Sequence, residues 1–499
     1  MAADNSPLVV LLPLAPPAPG VGLQRWLYEA VREAILSGRL PAGSQLPSTR
    51  AMAGHYQIAR GTVQAAYQQL GSEGYLLTRV GSGTRVSEVV PDARLHTGYV
   101  RRQVAPPELP QALPDTPWMQ RVAGLTPIFA KRDRTPGLYP FFPHRGDVRA
   151  FPVDLWRQLH NQHLRHSRLP ALMDADPAGL PALREAIAGH LAISRGVRVA
   201  AEHILVLSSV QQALDLSLRL LVPVDGQVWI EDPGYPGARQ LMALMGVSQV
   251  PVPVDEQGIQ VEVGIAMAPR ARLAYVTPSR QAPLGAELSP ARRLALLRWA
   301  SAEDAYIFED DYDSEYRFIA KPIPALRSLP GGERRVILAG TFSKLLFPSI
   351  RLAYMVLPAP LVEPFTRAAA LLARHANSLA QAVLADFIVQ GHLDRHVRRM
   401  RKLYGQRADA FAEAAHGHWR GLIEVPEIRA GLDVVGELQG IDEQLAWTRL
   451  NEAGIDVLPL GRYCYCTRPR PPGLVMGFAP YDCAAIDAAA RRLAQTLRG

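Results

Sequence analysis

GTFSKLLFPSIRLAYMVLP, Gly340 to Pro358, carries a lysine in a chain that otherwise avoids one. Of 54 Lys+Arg, only four are lysine: Lys131, Lys321, Lys344 and Lys402. Arginine stays protonated and cannot act as a carbonyl nucleophile, whereas a desolvated lysine can lose its proton. A lysine kept in an arginine-rich chain points to a place where an amine is needed. The apolar runs on either side, RVILAG and LAYMVL, read as strands.

Working outward, HILVL, QVWIED, RLAYVT and AYIFEDD add strand candidates. SVQQALDLSLRLL and LSPARRLALLRWASAE read as amphipathic helices between them. Strands alternating with helices from about Pro140 predict an α/β fold with a mainly parallel sheet. Past Ala376, long helices lead into a smaller α+β region.

The chain has 499 residues, 48% apolar and 20% charged, which suits a multidomain globular protein. A formal charge of +8 permits an anionic partner without naming one. Cys464, Cys466 and Cys483 imply no disulfide framework. The first two fall short of a structural zinc set, and His160, His163 and His166 in HNQHLRH read as a helix face, so no metal is expected. RHVRRMRKLYGQR, Arg395 to Arg407, reads as a solvated basic face. The start lacks a basic signal-peptide region, and no apolar run approaches the roughly 20 residues of a membrane span. The expectation is a cytoplasmic protein with no membrane partner.

Four regions follow from composition: an arm over 1–20, a small module over 21–88, a proline-rich linker over 89–138, and a body over 139–499. The body divides into a large part, about 139–375, and a small part, about 376–499. In the module, Leu23 to Leu36 has helical periodicity, STRAMAGHYQ and ARGTVQAAYQQLGSEG read as two helices around a tight turn, and GYLLTRVGSGTRVS reads as a hairpin. That order predicts a winged helix-turn-helix. Ser48 suits an N-cap. Arg60 and Thr62 open the second helix, where base edges and phosphates are met, and Arg50 is placed for a phosphate. Gly81 and Gly83 in the wing allow close backbone approach to a groove. Over residues 1–87 seven arginines face four acids, a net charge of +3.

LPSTRAMA, ARGTVQAAYQQLGSEGYL and GSGTRV resemble the winged-helix pattern of the GntR family. The resemblance implies operator DNA as partner, with Arg50, Arg60, Thr62, Gly81 and Gly83 as contacts. Gln64 stands where some relatives carry a basic residue. Ala59 departs from the family's serine and removes a helix-capping hydroxyl.

Around Lys344, Thr341, Ser343 and Arg351 can form a phosphate cup. AYIFEDDYDSEY ends a strand with Asp310, Asp311 and Tyr312, and acids at a strand's carboxyl end point into the ligand crevice of an open α/β sheet. Tyr235 in EDPGY offers an aromatic ring, and Ser208 to Leu216 opens a helix whose free N–H groups suit a phosphate. A nucleophilic lysine, an acid for a pyridinium, a phenol for the ring hydroxyl and a phosphate cup are what pyridoxal 5'-phosphate (PLP) requires.

This region resembles fold-type I aminotransferases, and the whole chain resembles the MocR/GabR regulators. The resemblance implies Lys344 as Schiff-base lysine, Asp310 as pyridinium partner, Tyr312 as ring-hydroxyl partner and Tyr235 as stacking ring. It assigns the phosphate to Thr341, Ser343, Arg351 and N–H groups around Val210 and Gln211. It also implies a homodimer, head-to-tail, in which PLP or an amine or amino-acid effector controls DNA binding. Three departures stand out. Ser209-Val210-Gln211-Gln212 has lost one hydroxyl of the cup motif. Arg280 replaces the usual histidine. Val475 stands where an arginine would hold a substrate carboxylate, with Arg462, Arg468 and Arg470 as possible substitutes. The leading expectation is a regulator rather than an enzyme; the alternative is an active aminotransferase with an appended DNA-binding unit. In a special case of the first, PLP itself is the signal.

Overall fold

A computed structural model describes residues 14, 17, 21–79, 83–88, 116–125, 140–166, 175–318, 323–465 and 470–499. Gly81, Lys131, Lys321, Cys466 and Arg468, and most of the arm and linker, lie outside the described residues. The chain divides into two compact units, Met1–Leu113 and Pro114–Gly499.

The first unit is three helices and a hairpin. Helices α1 (Leu23–Leu36), α2 (Thr49–Tyr56) and α3 (Arg60–Ser72) precede strands β1 (Leu76–Arg79) and β2 (Gly83–Val86), which pair antiparallel. Leu27, Val31, Val63, Ala66, Leu70 and Val86 close its core. The Ser48 hydroxyl caps α2 by accepting from Ala51 N at 3.2 Å. Gln57, left-handed at φ 53°, ends that helix and makes the turn. Ala59 begins α3 with no side-chain cap, as its missing hydroxyl requires.

The second unit holds an eight-stranded sheet built from β3 (Ile204–Leu207), β4 (Gln227–Asp232), β5 (Ser248–Asp255), β6 (Gly258–Ile259), β7 (Leu273–Val276), β8 (Tyr306–Asp311), β9 (Val336–Thr341) and β10 (Ala353–Val356). Their order is β3-β10-β9-β8-β7-β4-β5-β6. The run from β9 to β5 is parallel, and β10 is antiparallel to both neighbours. The strands are apolar on both faces, as a helix-covered parallel sheet demands. Helix Pro117–Ala123 falls within the stretch read as linker, and its Arg121 donates to Leu244 O at 3.4 Å.

A second, antiparallel sheet in the order β11-β12-β14-β13 forms the small part: β11 (Ile423–Glu424), β12 (Asp433–Leu438), β13 (Leu458–Pro459) and β14 (Gly473–Gly477). The 27-residue helix His392–His418 packs beside it. The basic run on this helix is not a uniformly solvated face. Arg407 is buried against Asp147 at 2.9 Å, and Arg401 donates to Glu315 O at 2.9 Å. Length and apolar periodicity cannot tell a committed arginine from a free one. Among the described residues no helix is long and apolar enough to cross a membrane.

Leu70 is fully buried in the first unit. Leu70→Ala is expected to cost that unit about 2–5 kcal/mol, read as an earlier denaturant midpoint for its transition with the second unit's transition unmoved.

Candidate functional site

The carboxyl ends of β3, β4, β7, β8 and β9 lie at one edge of the sheet, where open α/β sheets hold ligands. Lys344 follows β9 on a single turn, Phe342–Leu345, capped by the Thr341 hydroxyl accepting from Ser343 N at 3.1 Å. Its half-buried amine donates to the carbonyl oxygen of His144. Desolvation lowers the amine's pKa, opposed by Asp433, Asp313 and Asp310, and the net shift is downward. A lysine so placed keeps more of its neutral, nucleophilic form than one in water.

Next to β9, the penultimate residue of β8 is Asp310, whose register partner is Ala339. Tyr275, on β7, donates to Asp310 Oδ2 at 2.5 Å. Oδ1 of Asp310 is buried with no hydrogen-bond partner. Burial, with Asp311 adding to it, pushes this carboxyl up to about 7. An N–H on a cationic ring would satisfy the orphaned oxygen and reverse that shift. Tyr312 accepts from Arg280 Nη1 at 2.9 Å. Tyr235 is half-buried at the start of helix Pro236–Met245, its ring against Gly237, where a Cβ would come within 2.5 Å of ring carbons. Burial, then the Asp310 charge, holds its phenol protonated.

The antiparallel β10 completes the edge. Ala353 pairs with Leu207 of β3 on one side and Thr341 of β9 on the other. The residues after β3, the residues after β9 and Arg351 just before β10 are therefore level. Arg351 is exposed and left-handed at φ 50°. Helix Val210–Leu221 begins here, capped by Ser209 accepting from Gln212 N at 3.1 Å. Its first N–H groups, those of Val210 and Gln211, have no intrahelical acceptor. Val210, Gln211, Thr341, Ser343 and Arg351 thus lie around a cradle suited to a phosphate. Ser209 is spent on its cap, and Ser208 donates to Gln212 Oε1 at 2.8 Å, so backbone N–H groups carry this side of the cradle.

Asp433 and Tyr463 of the small part meet His144 and Arg280 of the large part in a wall that sequence alone does not assemble. His144 Nδ1 lies 2.7 Å from Asp433 Oδ2, and its Nε2 lies 2.5 Å from the Tyr463 hydroxyl. Burial would raise the Asp433 carboxyl, but His144 and Arg280 beside it hold it well below the usual carboxylate range. Arg280 Nη1 lies 3.1 Å from Asp313 Oδ2, and Nη2 lies 3.0 Å from Asp433 Oδ1. The guanidinium lies so flat on Gly431, at φ 91°, that a Cβ there would come within 2.3 Å of it. Arg280 therefore adds no free positive charge beside the ring site. Behind the edge, buried Arg195 Nε lies 2.7 Å from Asp311 Oδ2, close but off the hydrogen-bond axis.

Val475 is fully buried between Val435 and Leu458 and packs with Leu460 and Tyr463. Of the substitutes considered for a carboxylate grip, Arg470 is bidentate on Glu443 at 2.8 and 3.0 Å, and Arg462 lies over the Trp447 ring. His144, Asp313, Asp433, Tyr275 and Tyr463 were missed because their partners are 33 to 319 residues away in sequence. One signal was available: Tyr275 and Asp310 are each the penultimate residue of a strand, and the two strands are adjacent.

In the first unit, exposed Arg50 and Arg60 stand at the starts of α2 and α3, and Arg60 Nε lies 3.4 Å from Thr49 Oγ1. Thr62 is half-buried and Gln64 exposed on α3. Neither arginine has a carboxylate partner among the described residues. Gly83 opens β2 at φ 80°, and Arg85 holds Gln45 at 3.4 Å against the wing.

Residues 23–86 match the model of the bacterial regulatory proteins of the gntR family, and residues 146–471 match aminotransferase class I and II. The chain is 37% identical to the "Probable rhizopine catabolism regulatory protein MocR" of Rhizobium meliloti, over 93% of this chain and 91% of that one. It is 36% identical to the HTH-type transcriptional regulator TauR of Rhodobacter capsulatus, covering 80% and 81%. It is 31% identical to the HTH-type pyridoxine biosynthesis transcriptional regulator PdxR of Corynebacterium glutamicum, covering 91% and 92%. Among solved structures, kynurenine aminotransferase of Pyrococcus horikoshii superposes with a TM-score of 0.66 at 26% identity, over 72% of this chain and 90% of that one. The aminotransferase class I and II fold is that of PLP-dependent proteins.

Glu231, Asp310 and Asp313 are each pushed up to about 7, chiefly by burial. A carboxyl raised on folding contributes most below its unfolded pKa and loses that contribution as pH climbs through the folded value. Asp433, held low, stays ionised throughout this window. The cofactor-free protein is expected to lose stability between about pH 4 and 7, with a ceiling of about 4 kcal/mol per group. Denaturant melts across that range should show a shallower loss for Asp310→Asn; an unchanged slope would remove Asp310 as a contributor.

Proposed function

This chain belongs to the MocR-type family of transcriptional regulators, a GntR winged helix joined to an aminotransferase-like body, and we propose that its body holds PLP and uses it to control how the winged helix binds operator DNA. One observation carries this reading: a buried carboxylate oxygen of Asp310 without a partner stands at the same sheet edge as the desolvated amine of Lys344. Such a pair is costly unless a ligand with a positive ring nitrogen and a carbonyl occupies it.

Each side chain has a task. Lys344 is the nucleophile toward an aldehyde, and His144 O accepts its N–H when it is idle. Asp310, steadied by Tyr275, accepts a hydrogen bond from a protonated ring nitrogen and keeps it charged. Tyr312, with Arg280 donating to it, meets a ring hydroxyl, and Tyr235 covers the ring. Val210, Gln211, Thr341, Ser343 and Arg351 seat a phosphate. When bound, PLP supplies an electrophilic carbon and an electron sink. Arg50, Arg60, Thr62, Gln64, Gly81 and Gly83 form the DNA contact. We place the units at 21–88 and 139–499 in a cytoplasmic head-to-tail homodimer, whose paired heads read two half-sites. Ligand in the body then biases which head placement prevails.

Three measurements test this. DNA from upstream of the gene, at fixed salt, should bind with severalfold different affinity to cofactor-free and PLP-loaded protein; equal affinity would overturn control by the cofactor. Lys344→Ala should lose the borohydride-trapped adduct, whereas a retained adduct would assign another lysine. Arg60→Ala should weaken specific binding by about 1–3 kcal/mol; unchanged binding would take Arg60 out of the interface.

A further inference from the structure

We infer that the effector pocket beside Lys344 selects an amine whose other polar groups are hydrogen-bond donors, and rejects its carboxylate-bearing counterpart. The inference rests on the reading that PLP sits at Lys344, and extends it to the ligand the cofactor meets.

Two features point the same way. Among the described residues, the side chains considered for a carboxylate grip are committed or apolar. Val475 is buried hydrocarbon, and both terminal nitrogens of Arg280 are occupied by Tyr312, Asp313 and Asp433. Arg470 is tied to Glu443, and Arg462 lies on Trp447. What the wall does offer is acceptors. The carbonyl of His144 already seats one amine, that of Lys344, within the field of Asp433, Asp313 and Asp310. An amine or hydroxyl group on a ligand finds the same acceptors once Lys344 is engaged elsewhere. A carboxylate brought there meets the ionised Asp433 as a like charge, in a desolvated setting where repulsion is poorly screened. Outside the phosphate cradle, where Arg351 stands, Arg145 is a nearby cation without a carboxylate partner among the described residues. It is exposed, with its guanidinium 4.6 Å from the centroid of the Phe142 ring.

The test is calorimetric titration of the full-length, PLP-loaded protein with matched pairs that differ only in CH2OH against COOH: ethanolamine against glycine, and aminobutanol against aminobutyrate. Cofactor loading is first read from the visible absorbance of the lysine-bound form. Each amino alcohol is expected to bind at least about tenfold more tightly than its acid, and Arg145→Ala is expected to leave that ratio unchanged. Equal or tighter binding of the acids overturns the inference. An acid preference that vanishes in Arg145→Ala overturns it too and makes Arg145 the carboxylate grip. Loading without binding of either class also overturns it, leaving PLP as the sole signal. Failure to load PLP at all overturns the proposed function itself, a different result from any of these.

Discussion

Arg280 is the ion on which the site depends. Its guanidinium joins Asp313, just past a strand end of the large sheet, to Asp433, at the start of a strand in the small one. It also donates to the Tyr312 hydroxyl. A buried arginine alone would be prohibitive, and two buried carboxylates alone would repel; together they satisfy one another. Removing one partner from such a cluster costs about 3–5 kcal/mol because the others are left uncompensated. Gly431 is part of the same bargain, since any side chain there would occupy the guanidinium's place. The cluster fixes the small part against the strand ends, and so decides what faces Lys344.

The sheet topology explains why so many contributors meet at one edge. Parallel strands deliver their carboxyl ends to the same side, so Tyr235, Asp310, Tyr312 and Lys344 need only stand just past or at strand ends. A purely parallel sheet would place Arg351 on the far side, because it precedes its strand. The reversed direction of β10 returns it to the edge, level with Thr341 and the residues after β3. One antiparallel strand thereby assembles an anion cradle from three separate connections.

Much of this could be read from the sequence, and for local reasons. The winged helix has its punctuation inside a short span: Ser48 caps, Gln57 turns, Gly83 opens the second wing strand. The alternation of apolar runs and amphipathic helices gave the α/β body, and residues at strand ends followed from it. What could not be read was pairing across the chain. Asp433 sits in AGLDVVGEL, an ordinary strand opening, and nothing local says that its carboxylate meets residues near 144 and 280. The basic run of Arg395 to Arg407 shows the same limit from the other side. Its sequence suggests a free charged face, while Arg407 is buried on Asp147.

The replacement at position 280 can now be understood through its neighbours. An arginine where a histidine is usual brings a permanent charge beside a phenol and an acid. Taken alone, it should lower the pKa of the Tyr312 phenol and offer a grip for anions. In the folded protein burial outweighs the guanidinium, and the Tyr312 phenol is held well above its ordinary range. The two carboxylates absorb the grip. Arg280 is thus held by Asp313 and Asp433, and position 475 is a buried valine. On the proposed reading, a body with Lys344 at this edge and its described arginines committed to carboxylates and rings is fitted to sensing an amine.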